Sequence, residues 1–259
     1  MRIRILPYKM TSESARLLAR ELQCLRIYPD RSTYRPKHNH LIINWGCGSM
    51  LPWIHRADHI VNHPYNVQVS ANKLSTFLAF KESTIPSPLW TQSREEAAQW
   101  VTDGNTVYCR TTVTGHGGEG IVLVNSTDEI IGAKLYTKGV ANENEYRVHI
   151  FDGRVIDYVR KARRRGEEVR PSHYIRNYKQ GWVFIREGVQ LPEVVRETAK
   201  RAVQSVGLTF GAVDICTIEG TNEQECVVFE INSAPGIMNT SVVRYAEAIK
   251  AYERKIRCL

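Results

Sequence analysis

The sequence predicts an α+β protein built on antiparallel hairpins, with a small α/β piece at its front. Three observations carry that prediction. Asp152-Gly153 separates two alternating runs, "EYRVHIF" and "RVIDYVRK", which is a strong hairpin signal. A second hairpin is written in "FGAVDICTIEG" and "ECVVFEIN". Amphipathic helical stretches divide these strands from an opening strand–helix–strand pattern.

Residues 2–6 give the first strand. In "TSESARLLAREL", Leu17, Leu18 and Leu22 recur at helical spacing behind candidate caps at Thr11 and Ser12. "HLIINWGCGS" places a buried strand over 41–44 and runs it into a glycine turn, where α/β folds often hold small molecules. Ser70 is placed to cap a helix bearing Leu74, Phe77, Leu78 and Phe80, with Pro86 and Pro88 at its exit. Ser93 with Glu96 three residues on reads as a capping box. Two short strands, "TVYCRTT" and "GIVLVN", are joined by glycines. A helix over 192–206 ends at Gly207, and a last amphipathic helix runs through "VVRYAEAIKAYERKI".

With 259 residues, the chain can bury one large core or two to three small ones. Hydrophobic residues at 42% and charged ones at 24% are ordinary globular proportions. No apolar run is long enough to span a bilayer, and the opening lacks a signal-peptide core. Six scattered cysteines form no C-x-x-C pair, so reduced thiols in a cytoplasm are expected. The net charge of +8 favours an anionic partner without choosing among nucleotide, acidic peptide and nucleic acid. Much of the excess lies in "RKARRRGEEVR", residues 160–170, which suits either a solvated loop or an anion-binding surface.

"VVFEINSAPGI" sets a carboxylate and an amide, Glu230 and Asn232, on one face of a strand that is otherwise apolar. A charge there is costly unless something positive neutralises it, and a bound cation would do so. Asp214 on the partner strand adds a third hard oxygen donor within reach, a set that suits Mg²⁺. A second motif, "TTVTGHGGEGIVLV", satisfies G-x-G-x-x-G through Gly115, Gly117 and Gly120. A strand rather than a helix follows, so the dinucleotide fingerprint fails, and no Gly-Lys-Ser/Thr makes it a P-loop. What remains is a glycine flap whose backbone N–H groups can fold over phosphates. In "NENEYRVHIFDGRVI", Glu145, Arg147 and His149 share one strand face, which fits either a polar ligand or water. His55, His59 and His63 are spaced for one helix face, but Pro64 would end that helix, and Cys47 has no assignable base.

The chain order is a capped helix with Lys73, the flap, the Glu145 strand, then the Asp…Glu-x-Asn hairpin before Pro-Gly. That order resembles the ATP-grasp superfamily, and "GAVDI…VFEINSAPGI" is similar to its metal-binding signature. The resemblance covers residues 69–239. It implies an ATP-grasp fold in which two α+β subdomains, residues 70–133 and 134–259, clamp ATP behind a small substrate-side α/β domain, residues 1–69. It implies a ligase reaction: ATP phosphorylates a carboxylate, and an amine, less often a thiol, attacks the acylphosphate. Asp214, Glu230 and Asn232 would then hold Mg²⁺, with Mn²⁺ as the alternative, and Lys73 would reach the phosphates. Arg110, where many members have lysine, would meet the phosphates with Gly115, Gly117, Gly118 and Gly120. Glu145 would take the ribose hydroxyls, and the backbone of Lys134, Leu135, Tyr136, Thr137 and Lys138 would read adenine. Arg147, with Arg160 or Lys161, would line the transferred phosphate. Asn177, in "IRNYKQGW", is similar to the asparagine of glutamate ligases that modify peptides and ribosomal-protein tails. The implied partners are a small-molecule or peptide carboxylate and an amine acceptor. A kinase on the same fold and a basic nucleic-acid-binding protein are the alternative readings.

Overall fold

Three sheets organise the chain, and the computed structural model describes residues 1–30, 33–115, 119–164 and 181–258. The first sheet holds β1 (Arg2–Pro7), β2 (Leu25–Arg26), β3 (His40–Trp45) and β4 (His59–Val61), all parallel, in the order β2-β1-β3-β4. Every residue of β3 is buried, as a parallel strand covered on both faces requires. Helix α1 (Glu13–Glu21) starts at Ser12, whose Oγ accepts from the Ala15 N–H at 3.4 Å. Leu18, Leu41 and Trp45 share a core with Phe210 and Tyr245, so the front sheet is sealed by parts of the chain about 200 residues away.

Pro64 begins a helix instead of ending one. It occupies the first turn of α2 (Pro64–Ala71), where its missing N–H costs nothing. His63 caps that helix, His59 lies in β4 and His55 in a 3₁₀ turn, so the three share no helix face. Ser70 falls inside α2, and Asn72 caps the next helix, α3 (Lys73–Glu82), accepting from the Ser75 N–H at 3.1 Å. The Lys73 N–H donates to the Val113 carbonyl at 2.8 Å, which pins the start of α3 to the loop after Arg110.

The second sheet is antiparallel: β5 (Trp90–Thr91), β6 (Val107–Arg110), β7 (Ile121–Val124) and β8 (Leu135–Lys138), in the order β5-β8-β6-β7. Because β8 belongs to it, this sheet extends to residue 138, past the expected boundary at 133. Helix α4 (Arg94–Thr102) is capped by Ser93, but the Ser93 N–H goes to Thr91 Oγ1 and not to Glu96. Half of the expected capping box is therefore made.

The third sheet is antiparallel as well: β9 (Asn142–Phe151), β10 (Arg154–Arg163), β11 (Trp182–Ile185), β12 (Phe210–Ile218) and β13 (Cys226–Asn232), ordered β11-β10-β9-β12-β13. Asp152 and Gly153, at φ +47° and +71°, make the two-residue turn between β9 and β10. Helix α5 (Glu193–Ser205) buries Val195, Ala199 and Ala202 with Val148, Ile150, Val213 and Ile215 of the sheet. Gly207 follows it at φ +71°. Strand alternation leaves the opposite face to Glu145, Arg147, Asp214, Glu230 and Asn232. The final helix, α6 (Thr240–Arg257), returns to the front sheet beside α1. Among the described residues no helix is long and apolar enough to cross a membrane.

Candidate active site

A cavity of about 300 Å³ opens where the three sheets meet. The second sheet contributes Arg110 and the flap residues around Gly115, and the third contributes Glu230 and Asn232. Lys73 enters from α3, while Tyr8 and Gly46 come from the ends of β1 and β3. The glycine turn after β3 thus faces the cavity. Gly46 has a positive φ of +81°, and a Cβ there would lie 2.5 Å from the Ala234 Cβ. Only glycine lets the front sheet sit this close to the Ser233–Gly236 loop.

The charges in the cavity are arranged as ion pairs. Lys73 Nζ donates to Glu230 Oε2 and to the Phe229 carbonyl, both at 3.1 Å. Asn232 Nδ2 donates to Glu230 Oε1 at 3.1 Å, as side chains two apart on one strand should. Lys73 beside it, then the Asn232 bond, hold the Glu230 carboxyl well below the usual carboxylate range against the opposing effect of burial. The Glu230 side chain is still 42% exposed, toward the cavity. Asp214, on β12, stands opposite Glu230 of β13 and Arg147 of β9. Arg147 Nε and Nη2 each donate to one Asp214 oxygen at 2.7 Å, a bidentate fork.

Further along the same face, Lys161 is ion-paired to the buried Glu145. The Phe184 ring lies under this group, 4.9 Å from Arg147 Cζ and 5.9 Å from Lys161 Nζ. Arg160 points to the other face, where its Nη1 donates to Asn144 Oδ1 at 3.3 Å. Of the two candidates, Lys161 alone joins Arg147. His149 follows Arg147 on the strand but is buried against Tyr245, at 3.1 Å from its hydroxyl, away from the cavity.

Arg110 differs from Lys73, Arg147 and Lys161 in a feature that Arg160, on the other sheet face, shares. The Arg110 Nε is buried without a hydrogen-bond partner among the described residues, and burial pulls its pKa down. A guanidinium stays charged regardless, so this is an orphaned cationic donor on a cavity wall. Such a group calls for an anion. Lys73, Arg147 and Lys161 are each paired with a carboxylate (Glu230, Asp214 and Glu145), and Arg110 and Glu119 also line the cavity.

Gly120 sits at φ +68°, where a Cβ would meet Thr112 Cγ2 at 2.7 Å, so this flap position is fixed as glycine by its own turn. Gly117, Gly118 and Asn177 lie outside the described residues, as does the stretch 165–170. The expected adenine-reading segment is strand β8. Tyr136 and Thr137 pair with β5, and Leu135 to Lys138 pair with β6. The Lys134 N–H donates to the Arg110 carbonyl and the Lys138 N–H to the Leu89 carbonyl, each at 2.9 Å. The link that crosses to the third sheet is residues 139–141, where the Gly139 N–H donates to the Thr106 carbonyl at 2.8 Å and the Ala141 carbonyl accepts from the Glu219 N–H at 3.0 Å.

The oxygen donors fit a hard divalent cation. Two carboxylates and one amide oxygen, without thiolate or imidazole, suit Mg²⁺ or Mn²⁺ over zinc. Among the described residues no three acidic, imidazole or thiol groups converge. A cation here would therefore rely on Asp214, Glu230 and Asn232, and take its remaining oxygens from phosphate and water.

Sequence reading did not find Phe184, nor a buried hub around Asp157. The Asp157 side chain is fully buried and receives both Nη atoms of Arg186, Arg244 Nη1 at 3.0 Å and Ser241 Oγ at 2.8 Å. Cys47 is buried, which pushes its thiol up, away from a nucleophile's range.

No protein-family model matches this sequence, nor does any curated protein. Solved structures do match. The fold is similar to that of the ATP-grasp ligase PsnB complexed with a minimal precursor, at a TM-score of 0.69 and 13% identity, over 96% of this chain and 97% of that chain. It is similar to D-alanyl-alanine synthetase A from Vibrio cholerae, at a TM-score of 0.70 and 15% identity over 98% of each chain. It is also similar to a RimK domain ATP-grasp protein from Sphaerobacter thermophilus, at 0.62 and 13% identity, over 97% of this chain and 99% of that one. The chain has the ATP-grasp fold. The match takes in the front sheet, beyond the span in which the sequence itself resembles the superfamily.

Proposed function

We propose that this protein is an ADP-forming, ATP-dependent carboxylate–amine ligase. The observation that carries the reading is the convergence on one cavity of Arg110, Lys73, Glu230 and Asn232, with Asp214 opposite Glu230 on the neighbouring strand, between two antiparallel sheets. PsnB has been seen with Mg and ADP, which supports a metal–nucleotide pair for this chain too. Asp214, Glu230 and Asn232 would hold the metal, which supplies charge neutralisation between phosphate groups when bound. Arg110 and Lys73 bind phosphate oxygens, and the flap keeps water from them. Arg147 and Lys161 hold the transferred phosphoryl group while the substrate carboxylate attacks it. The amine then displaces phosphate from the acylphosphate. Glu145 takes the ribose hydroxyls, and the backbone of residues 134–138, with the adjoining link at 139–141, reads adenine.

PsnB and a Chryseobacterium gregarium ligase were solved with peptides, so an acidic peptide is the first carboxylate to try. ADP and phosphate release should require both a carboxylate and an amine. ADP formed equally with a hydroxyl compound and no amine would indicate a kinase. Tight, salt-sensitive DNA binding without ATP affinity would favour the nucleic-acid reading.

The strand geometry separates two neighbouring cations. Lys161→Ala is expected to lower kcat by about 10²-fold with ATP affinity nearly unchanged. Arg160→Ala, on the opposite face, should leave kcat within about a factor of two. Equal losses in both variants would contradict this placement.

A further inference from the structure

Asp214 has two claimants. Both of its oxygens are bound by Arg147 at 2.7 Å, and the residue is only 4% exposed. A cation ligated by Asp214 would sit about 2.1 Å from one of these oxygens. That places it within a few ångströms of the guanidinium, and like charges that close disfavour each other. Glu230, the other carboxylate, is held by Lys73. Each of the two proposed carboxylate ligands therefore carries a protein cation of its own.

From this we infer that Arg147 and the divalent cation compete for Asp214, and that metal binding releases the guanidinium toward the transferred phosphate. The inference rests on the metal-site reading above. Arg147 has a second anchor of a different kind, because its Cζ lies 4.9 Å from the centre of the Phe184 ring. The ring is 46% exposed on the same sheet face and attracts the guanidinium through its π-cloud. A cation arriving at Asp214 removes the carboxylate anchor and leaves the aromatic one. Arg147 is then kept on the face, with its fork of N–H donors freed for phosphate oxygens. The metal-free protein is charge-compensated by the same residue that the reaction uses.

This exchange has a thermodynamic signature. A metal that arrives without phosphate expels Arg147 and offers it no new partner. A metal that arrives with a nucleotide brings the oxygens Arg147 needs. Metal and nucleotide must then each strengthen the binding of the other.

The test is a MnCl₂ titration of the intact protein without nucleotide, with free Mn²⁺ read by electron paramagnetic resonance. Arg147→Met is expected to bind Mn²⁺ at least about tenfold tighter than wild type. Affinity equal to or weaker than wild type overturns the competition. If loss of the arginine prevents folding, Arg147→Lys replaces the fork by one ammonium and should give a smaller gain, and no gain overturns the inference equally. Glu230→Gln separates the two ideas, since it removes a proposed ligand and leaves Arg147 in place. Weaker Mn²⁺ binding in Glu230→Gln with no gain in Arg147→Met defeats only the competition. Unchanged Mn²⁺ binding in Glu230→Gln defeats the metal site itself.

Discussion

Glu230→Gln is expected to reduce metal-dependent ATP turnover by about 10²–10³-fold or more, while the protein stays folded. The change removes one negative charge from the oxygen set and keeps side-chain size. Because Lys73, only 16% exposed, holds this carboxyl low, its loss leaves that ammonium without its carboxylate and should cost some stability. Asp214→Asn should be as inactive but less stable. It breaks the bidentate pair with Arg147 and leaves a half-buried guanidinium without its partner. Asp214 and Glu230 each have a cation, so no gain from relieved repulsion is expected in either variant. ADP release at saturating Mg²⁺, with thermal melts of each variant, checks both halves. Near wild-type turnover in Glu230→Gln would remove the metal assignment.

The largest effect on stability is expected at Asp157. Replacing it by alanine strands Arg186, Arg244 and Ser241 around a fully buried gap, which should cost about 3–5 kcal/mol. For a chain of this length, that lowers the melting temperature by on the order of 10 °C. A drop of less than about 2 °C would show that the hub is dispensable. The same corner sets an acid limit. Burial pulls His149 down to about 4 from 6.5, more strongly than nearby Asp157 raises it. Below pH 6.5 the unfolded chain takes up a proton that the folded protein refuses until about pH 4. Stability present above that window is lost through it as the pH falls. Burial raises Asp157, but its bonds from Arg186 and Ser241 outweigh this and lower it, so its contribution too is lost on the acid side. Melts between about pH 7.5 and 4.5 read the slope, and His149→Gln should flatten it.

Features encoded within a few residues were legible in the sequence. The two-residue period of β13 put Glu230 and Asn232 on one face, and Asp152-Gly153 announced its turn. Helix starts were harder, because Ser70 and Asn72 are both good caps two residues apart. The choice is made by a distant contact, the Lys73 N–H to the Val113 carbonyl. Pro64 is ambiguous for a similar reason, since proline can precede a helix break or open a new helix. The Asp157 hub draws on residues 157, 186, 241 and 244, whose meeting no local pattern records. Phe184 reads as an ordinary strand residue until the sheet order sets it beneath Arg147.

The order of strands in the third sheet also bears on how the chain emerges from a ribosome. β9 closes onto β10 as soon as its turn is made, but its other neighbour, β12, is encoded far downstream. Arg147 and Asp214 are 67 residues apart. At about 5–20 residues per second, that edge of β9 waits several seconds for its partner. An apolar edge exposed for so long would recruit strands from neighbouring nascent chains. Here the waiting strand carries Glu145 and Arg147, and charges of this kind act as gatekeepers against such pairing. The side chains proposed for chemistry guard the half-made sheet before there is any site for them to serve.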